Sequence, residues 1–183
     1  MTKRVTRRTT GLALLVALLA APPATAQAAE TLRIANQFGI GYLPLHMMRE
    51  HGLIEKRGRE QGVEITVEWL RFSSGATMND GIIGGSLDVA SGGIGPLLTL
   101  WDKTRGNLDV KAIAAINDMP LFLTTRNPAV KTVKDFTAAD KIALPAVKVS
   151  IQARTLQMAA EQAGLAFDAL DGFTVSMPHP DAT

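Results

Sequence analysis

The chain has 183 residues, 46% hydrophobic and 20% charged, with no cysteine. That excludes disulfides, a thiol nucleophile and cysteine metal ligands. Its net charge of +2, from 19 basic against 17 acidic residues, points to nucleic acid only if the basic residues belong to the folded part, and four of them do not.

Lys3, Arg4, Arg7 and Arg8 head an apolar stretch, Gly11 to Ala21, too short to cross a bilayer. Pro22-Pro23 and the small-residue exits Ala24-Thr25-Ala26 and Ala26-Gln27-Ala28 follow, so residues 1–28 read as an export signal. Arg7-Arg8 raises a twin-arginine route, which Thr10 and Gly11 disfavour. Cleavage after Ala28 leaves 155 residues (183 minus 28) with 15 basic against 17 acidic, net −2. The basic balance is therefore no argument for nucleic acid.

Thr31 to Asn36 alternates and predicts a strand; Gln37 to Gly41 is a glycine loop. Tyr42 to Glu50 has helical spacing, with Gly52 as its stop. Leu53 to Gly62 reads as a second, charged helical piece. Val63 to Leu70 alternates cleanly and predicts a strand. Ser73-Ser74-Gly75 precedes a helix over Ala76 to Ile83, and Leu87 to Ala90 is a short apolar strand. Ser91-Gly92-Gly93-Ile94-Gly95 leads into a helix that Pro96 is suited to start, ending near Lys103. Val110 to Ile116 is a continuous apolar run and predicts a buried strand. Leu121 to Thr125 is a second extended run, which suggests a crossing between domains. Val130 to Phe136 reads as a short surface helix and Lys141 to Leu144 as a strand. Ile151 to Ala163 predicts an amphipathic helix with Leu156, Met158, Ala159 and Ala163 inward. Phe173 to Val175 is a further candidate strand. Pro178 to Asp181 reads as the lead-in to a helix, with Asp181 as a possible N-cap, and the sequence stops two residues later, as a truncated chain would.

Strand followed by helix, repeated, predicts an α/β fold with a mostly parallel sheet. Ligands in such sheets sit beyond the carboxyl ends of the strands, and the glycine loops follow strands. Two helix starts with little side chain in the way offer amide hydrogens and positive dipole ends to an anion or a small polar molecule. The same glycines also serve as plain tight turns.

Gly41-Tyr42-Leu43-Pro44-Leu45, the Phe72-Ser73-Ser74-Gly75 loop, Gly85-Ser86-Leu87-Asp88-Val89, the Ser91-to-Pro96 loop and Lys141 to Ala153 together resemble the nitrate/sulfonate/taurine group of periplasmic substrate-binding proteins of ABC importers. The resemblance runs from about Leu32 to the C-terminus. It implies a two-lobed, type II periplasmic-binding-protein architecture, with ligand held between lobes. Residues 29–120 would be the first lobe and 121–183 the start of a second, incomplete one. It also implies a monomer in the periplasm, a small-molecule ligand, an inner-membrane ABC permease as partner, and no nucleic acid and no cofactor.

Carried over by position, the ligand contacts would be Gln37, Tyr42, Ser73, Ser74, Gly75, Gly93 and Ile94 from the first lobe, with Lys148 and Ser150 from the second. Phe38 would be an apolar wall. Each has a plainer alternative: Gln37 as an exposed loop amide, Tyr42 as packing on the first helix, Ser74 as a helix cap, Lys148 as a solvated loop cation. No catalytic residues stand out, since the serines lack a His/Asp partner and no nucleophile elbow occurs. His46, His51 and His179 have no metal-ligand spacing. Gly92-Gly93-Ile94-Gly95 lacks the dinucleotide spacing. The function expected is a solute receptor that closes on a sulfonate, nitrate, taurine or heterocycle. Two other readings stay open: a cofactor-biosynthesis enzyme on the same fold, and a fragment that binds nothing.

Overall fold

The structure, a computed structural model, describes residues 30–182; the expected export signal, residues 1–28, lies outside them. Strand β1 (Glu30–Asn36) is flanked by β2 (Ile65–Arg71) and β3 (Val89–Ala90), all parallel, in the order β2-β1-β3. Ile34 stands opposite Trp69 on one side and Val89 on the other. Helices α1 (Leu43–Glu50) and α2 (Leu53–Glu60) connect β1 to β2, and α3 (Gly75–Ile83) connects β2 to β3. The β1-to-β2 connection steps one way across the sheet, and the β2-to-β3 connection passes back over β1 in the other direction. The right-handed rule therefore puts α1 and α2 on one face of the sheet and α3 on the other. Ala35, fully buried, packs with Met78 of α3 and Leu87 to form this unit's core.

Helix α4 (Ile94–Thr104) follows β3. It starts two residues before the expected point, so Pro96 sits inside its first turn. That position also needs no amide donor, which is why the proline is tolerated there. A second unit follows residue 130. Strands β4 (Ile142–Leu144) and β5 (Thr174–Ser176) pair in parallel, with α5 (Ile151–Gln162) between them. Its core is Ile142, Leu144, Ala153, Leu156, Ala160 and Leu170, with Phe136 and Phe173 packed alongside. Thr132 and Asp135 close a capping box on the 3-10 turn Val133–Asp135. Asp181 lies within a second such turn, His179–Ala182.

Two expectations are corrected. Val110 to Ile116 forms no strand, and most of it is exposed, as is Leu121 to Thr125. An apolar run becomes a buried strand only where a neighbour offers a free edge and a covering layer, and no described strand pairs with this one. On α5 the inward face is Ala153, Leu156, Gln157 and Ala160, while Met158 is 55% exposed. Gln157 is buried because its amide is satisfied: Nε2 donates to both carboxylate oxygens of Asp171 at 2.9 and 3.0 Å, and Oε1 accepts from Arg154.

Candidate functional site

Three helix N-termini meet beyond the carboxyl ends of the strands. Ser74 caps α3 from an extended conformation, its Oγ accepting from the Thr77 amide at 3.3 Å. It is 3% exposed. The next residue, Gly75, lies so near the first turn of α4 that a Cβ there would stand 2.6 Å from Cγ of Pro96. A Cβ on Gly92 would reach Cα of Gly75 at 3.7 Å and Nε2 of Gln37 at 3.6 Å. The two glycine loops of the first unit are therefore side by side.

Gln37, straight after β1, ties this floor together. Its Nε2 donates to the Ser91 carbonyl at 3.3 Å, and Ser91 Oγ donates to the Ala35 carbonyl at 2.8 Å. Burial pushes the Tyr42 phenol above its ordinary pKa, and a hydrogen bond with Gln37 partly offsets that. Gly93 is the N-cap of α4 and supplies no side-chain cap. The first intrahelical bond of α4 comes from Leu97, which donates to the Gly93 carbonyl at 3.2 Å. The amides of Ile94 and Gly95 precede that bond, so they are the donors α4 presents at its start.

The third terminus comes from the second unit. Ser150 caps α5, its Oγ accepting from the Ala153 amide at 3.2 Å, and it is 4% exposed. A Cβ on Gly93 would stand 2.6 Å from Cβ of Ile151, the first residue of α5. A Cβ on Gly95 would stand 2.9 Å from the Val149 carbonyl. Each helix start carries about half a positive charge. Three together favour an anion over a cation.

The expected residues divide as follows. Gln37, Tyr42 and Gly75 are linked through these contacts; Gly93 meets Ile151 instead, and Ile94 follows it with 54% of its surface exposed. Ser74 and Ser150 lie at the same place with their hydroxyls engaged as caps. Ser73 is exposed beside Ser74. Lys148 is exposed in the loop before α5, with a left-handed backbone, φ 62°. Phe38 carries the Arg71 guanidinium 5.0 Å above its ring. The sequence reading missed Ile151 and Arg71. The carboxyl-terminal position of Arg71 on β2 was a usable signal for a cation at this edge. No signal identified Ile151, because the contact joins residues 58 apart.

No protein-family profile matches the chain, and no curated protein does. Solved structures do. The periplasmic aliphatic sulphonate-binding protein SsuA of Escherichia coli matches at 26% identity and a TM-score of 0.51, over 85% of this chain and 50% of that one. The alkanesulfonate-binding protein SsuA of Xanthomonas axonopodis pv. citri, bound to MOPS, matches at 22% identity and a TM-score of 0.54, with the same coverage. The chain thus spans about half the length of these structures, both of which are binding proteins rather than enzymes. It is an α/β protein with parallel sheets that folds like the sulfonate-binding periplasmic proteins.

Proposed function

We propose that this chain is the solute-binding component of an ABC importer, and that it captures a small anion in a cleft between two lobes. The observation that carries this is the meeting of three helix starts, those of α3, α4 and α5, from two separate sheets. Backbone amides at such a place hold an anionic head group without a dedicated cation. Among nitrate, taurine, heterocycles and sulfonates, the likeness to sulfonate-binding proteins favours the last. Residues 29–120 act as the first lobe and 121–183 as the beginning of the second. Gln37, Tyr42, Ser73, Ser74, Gly75, Gly93 and Ile94 form the first-lobe wall, with Lys148 and Ser150 facing them. The residues between the lobes that form no helix or strand serve as the hinge on which closure occurs. The export signal at residues 1–28 places the mature protein in the periplasm, where it delivers its ligand to an inner-membrane permease.

The test is ligand-induced stabilisation of the full chain. Methanesulfonate, taurine and nitrate are each titrated, and melting is followed by calorimetry. A rise in melting temperature that saturates with methanesulfonate or taurine supports the reading. No shift with any of the three overturns it.

A further inference from the structure

Ile151 is half-buried at the start of α5, yet it contributes nothing to the apolar core of its own unit. Its side chain lies along the Gly93 backbone. From the position of a Gly93 Cβ, the Ile151 Cβ is at 2.6 Å, Cγ2 at 2.9 Å and Cδ1 at 3.5 Å. Contact on this scale exists only because residue 93 is glycine. It sets an aliphatic group beside the amides that open α4, where the Val149 carbonyl and the Arg154 side chain also approach Gly95.

We infer that Ile151 is a specificity-determining residue of the cleft, limiting the length of apolar tail an anionic ligand carries. The inference rests on the receptor reading above. A head group on the Ile94 and Gly95 amides would have Ile151, packed against Gly93, as its neighbour from α5. Its branched side chain fills the space into which a tail would run. Ile151→Ala removes Cγ1, Cγ2 and Cδ1 and keeps Cβ, so room for about three methylenes opens while the helix start keeps its backbone. A newly buried methylene is worth about fourfold in affinity, and three partly buried ones about tenfold or more.

The probes are methanesulfonate and 1-butanesulfonate, which differ by three methylenes. Dissociation constants are measured by titration calorimetry on the full chain, on Ile151→Ala, and on Ile151→Val, which removes one carbon. Leu98→Ala, an exposed position on α4 away from the helix start, serves as control. Ile151→Ala should move the preference toward butanesulfonate about tenfold, and Ile151→Val should move it the same way by less. Leu98→Ala should leave it unchanged. If the unaltered chain binds a sulfonate and neither Ile151 variant shifts the ratio, the role of Ile151 is overturned and the receptor reading stands. If the unaltered chain binds neither probe, the sulfonate reading falls and this inference with it. Should Ile151→Ala fail to fold, Ile151→Val decides.

Discussion

Arg33 and Asp88 bind each other at both backbone and side chain, and so fix β3 to β1. The Arg33 amide donates to Asp88 Oδ2 at 2.8 Å, and the Asp88 amide returns a bond to the Arg33 carbonyl at 3.0 Å. The guanidinium adds a fork, Nε to Oδ2 at 2.9 Å and Nη2 to Oδ1 at 2.7 Å, while Nη1 reaches the Gly85 carbonyl at 2.6 Å. β3 is two residues long. This clasp, more than ladder length, sets where the loop to α4 begins.

The clasp makes stability depend on pH. The Arg33 hydrogen bonds hold the Asp88 carboxyl below its ordinary pKa. Asp135 is lowered by the amides of Lys131 and Thr132, and Asp140 by the Thr137 amide and by Asn127. A carboxylate whose folded pKa is depressed contributes stability above its unfolded value, about 3.9, and loses it as pH falls through the folded value. The melting temperature should therefore be flat from neutral pH to about pH 5 and fall below about pH 4. Asp88→Asn should weaken the clasp at neutral pH and flatten part of the acid decline. Thermal melts across that range check both.

Ser74 separates capping from binding. Ser74→Ala removes the acceptor for the Thr77 amide and should cost about 1 kcal/mol in urea unfolding. Ser74→Asp keeps an acceptor and suits the helix dipole. It should restore the stability while lowering methanesulfonate affinity at least about tenfold, because a fixed carboxylate then stands beside the anion at the converging helix starts.

Gly75→Ala tests the closeness of α3 and α4. The new methyl would stand 2.6 Å from Cγ and 2.8 Å from Cβ of Pro96. A change of ring pucker moves Cγ but leaves Cβ in place, so overpacking should cost about 1–3 kcal/mol. Urea denaturation gives the value, and a cost near zero would mean that the two helix starts lie farther apart.

Lys148→Gly should move stability and binding in opposite directions. Lys148 holds φ at 62°, which costs a residue with a Cβ about 1 kcal/mol and glycine little. The variant should therefore be more stable. If the ammonium faces the ligand, anion affinity falls at the same time, most clearly at low salt. Denaturation and titration on one preparation measure both.

Much of the framework was legible in the sequence because it is local. Alternation over Val63 to Leu70 marked β2, which the structure places at Ile65–Arg71. Small residues after strands marked the starts of α3 and α4 to within one or two positions. What was not legible depends on partners distant in the chain. Gln157 looks solvent-facing until both carboxylate oxygens of Asp171 are seen to accept from its Nε2. Val110 to Ile116 has the composition of a buried strand, but composition says nothing about whether an edge is free to receive it. The packing of Ile151 on Gly93 joins two elements whose approach follows from the path of the intervening chain.

That intervening path has one more consequence. Asn117 Nδ2 donates to the Gly41 carbonyl at 2.8 Å, and Met119 Sδ lies 3.1 Å from where a Gly41 Cβ would be. Backbone groups around this anchorage are exposed and have no ladder among the described residues. Their amide protons should swap with deuterated solvent far sooner than those of the central strand β1. Slowing of that exchange on addition of an anion is the outcome expected if the two sheets draw together on binding.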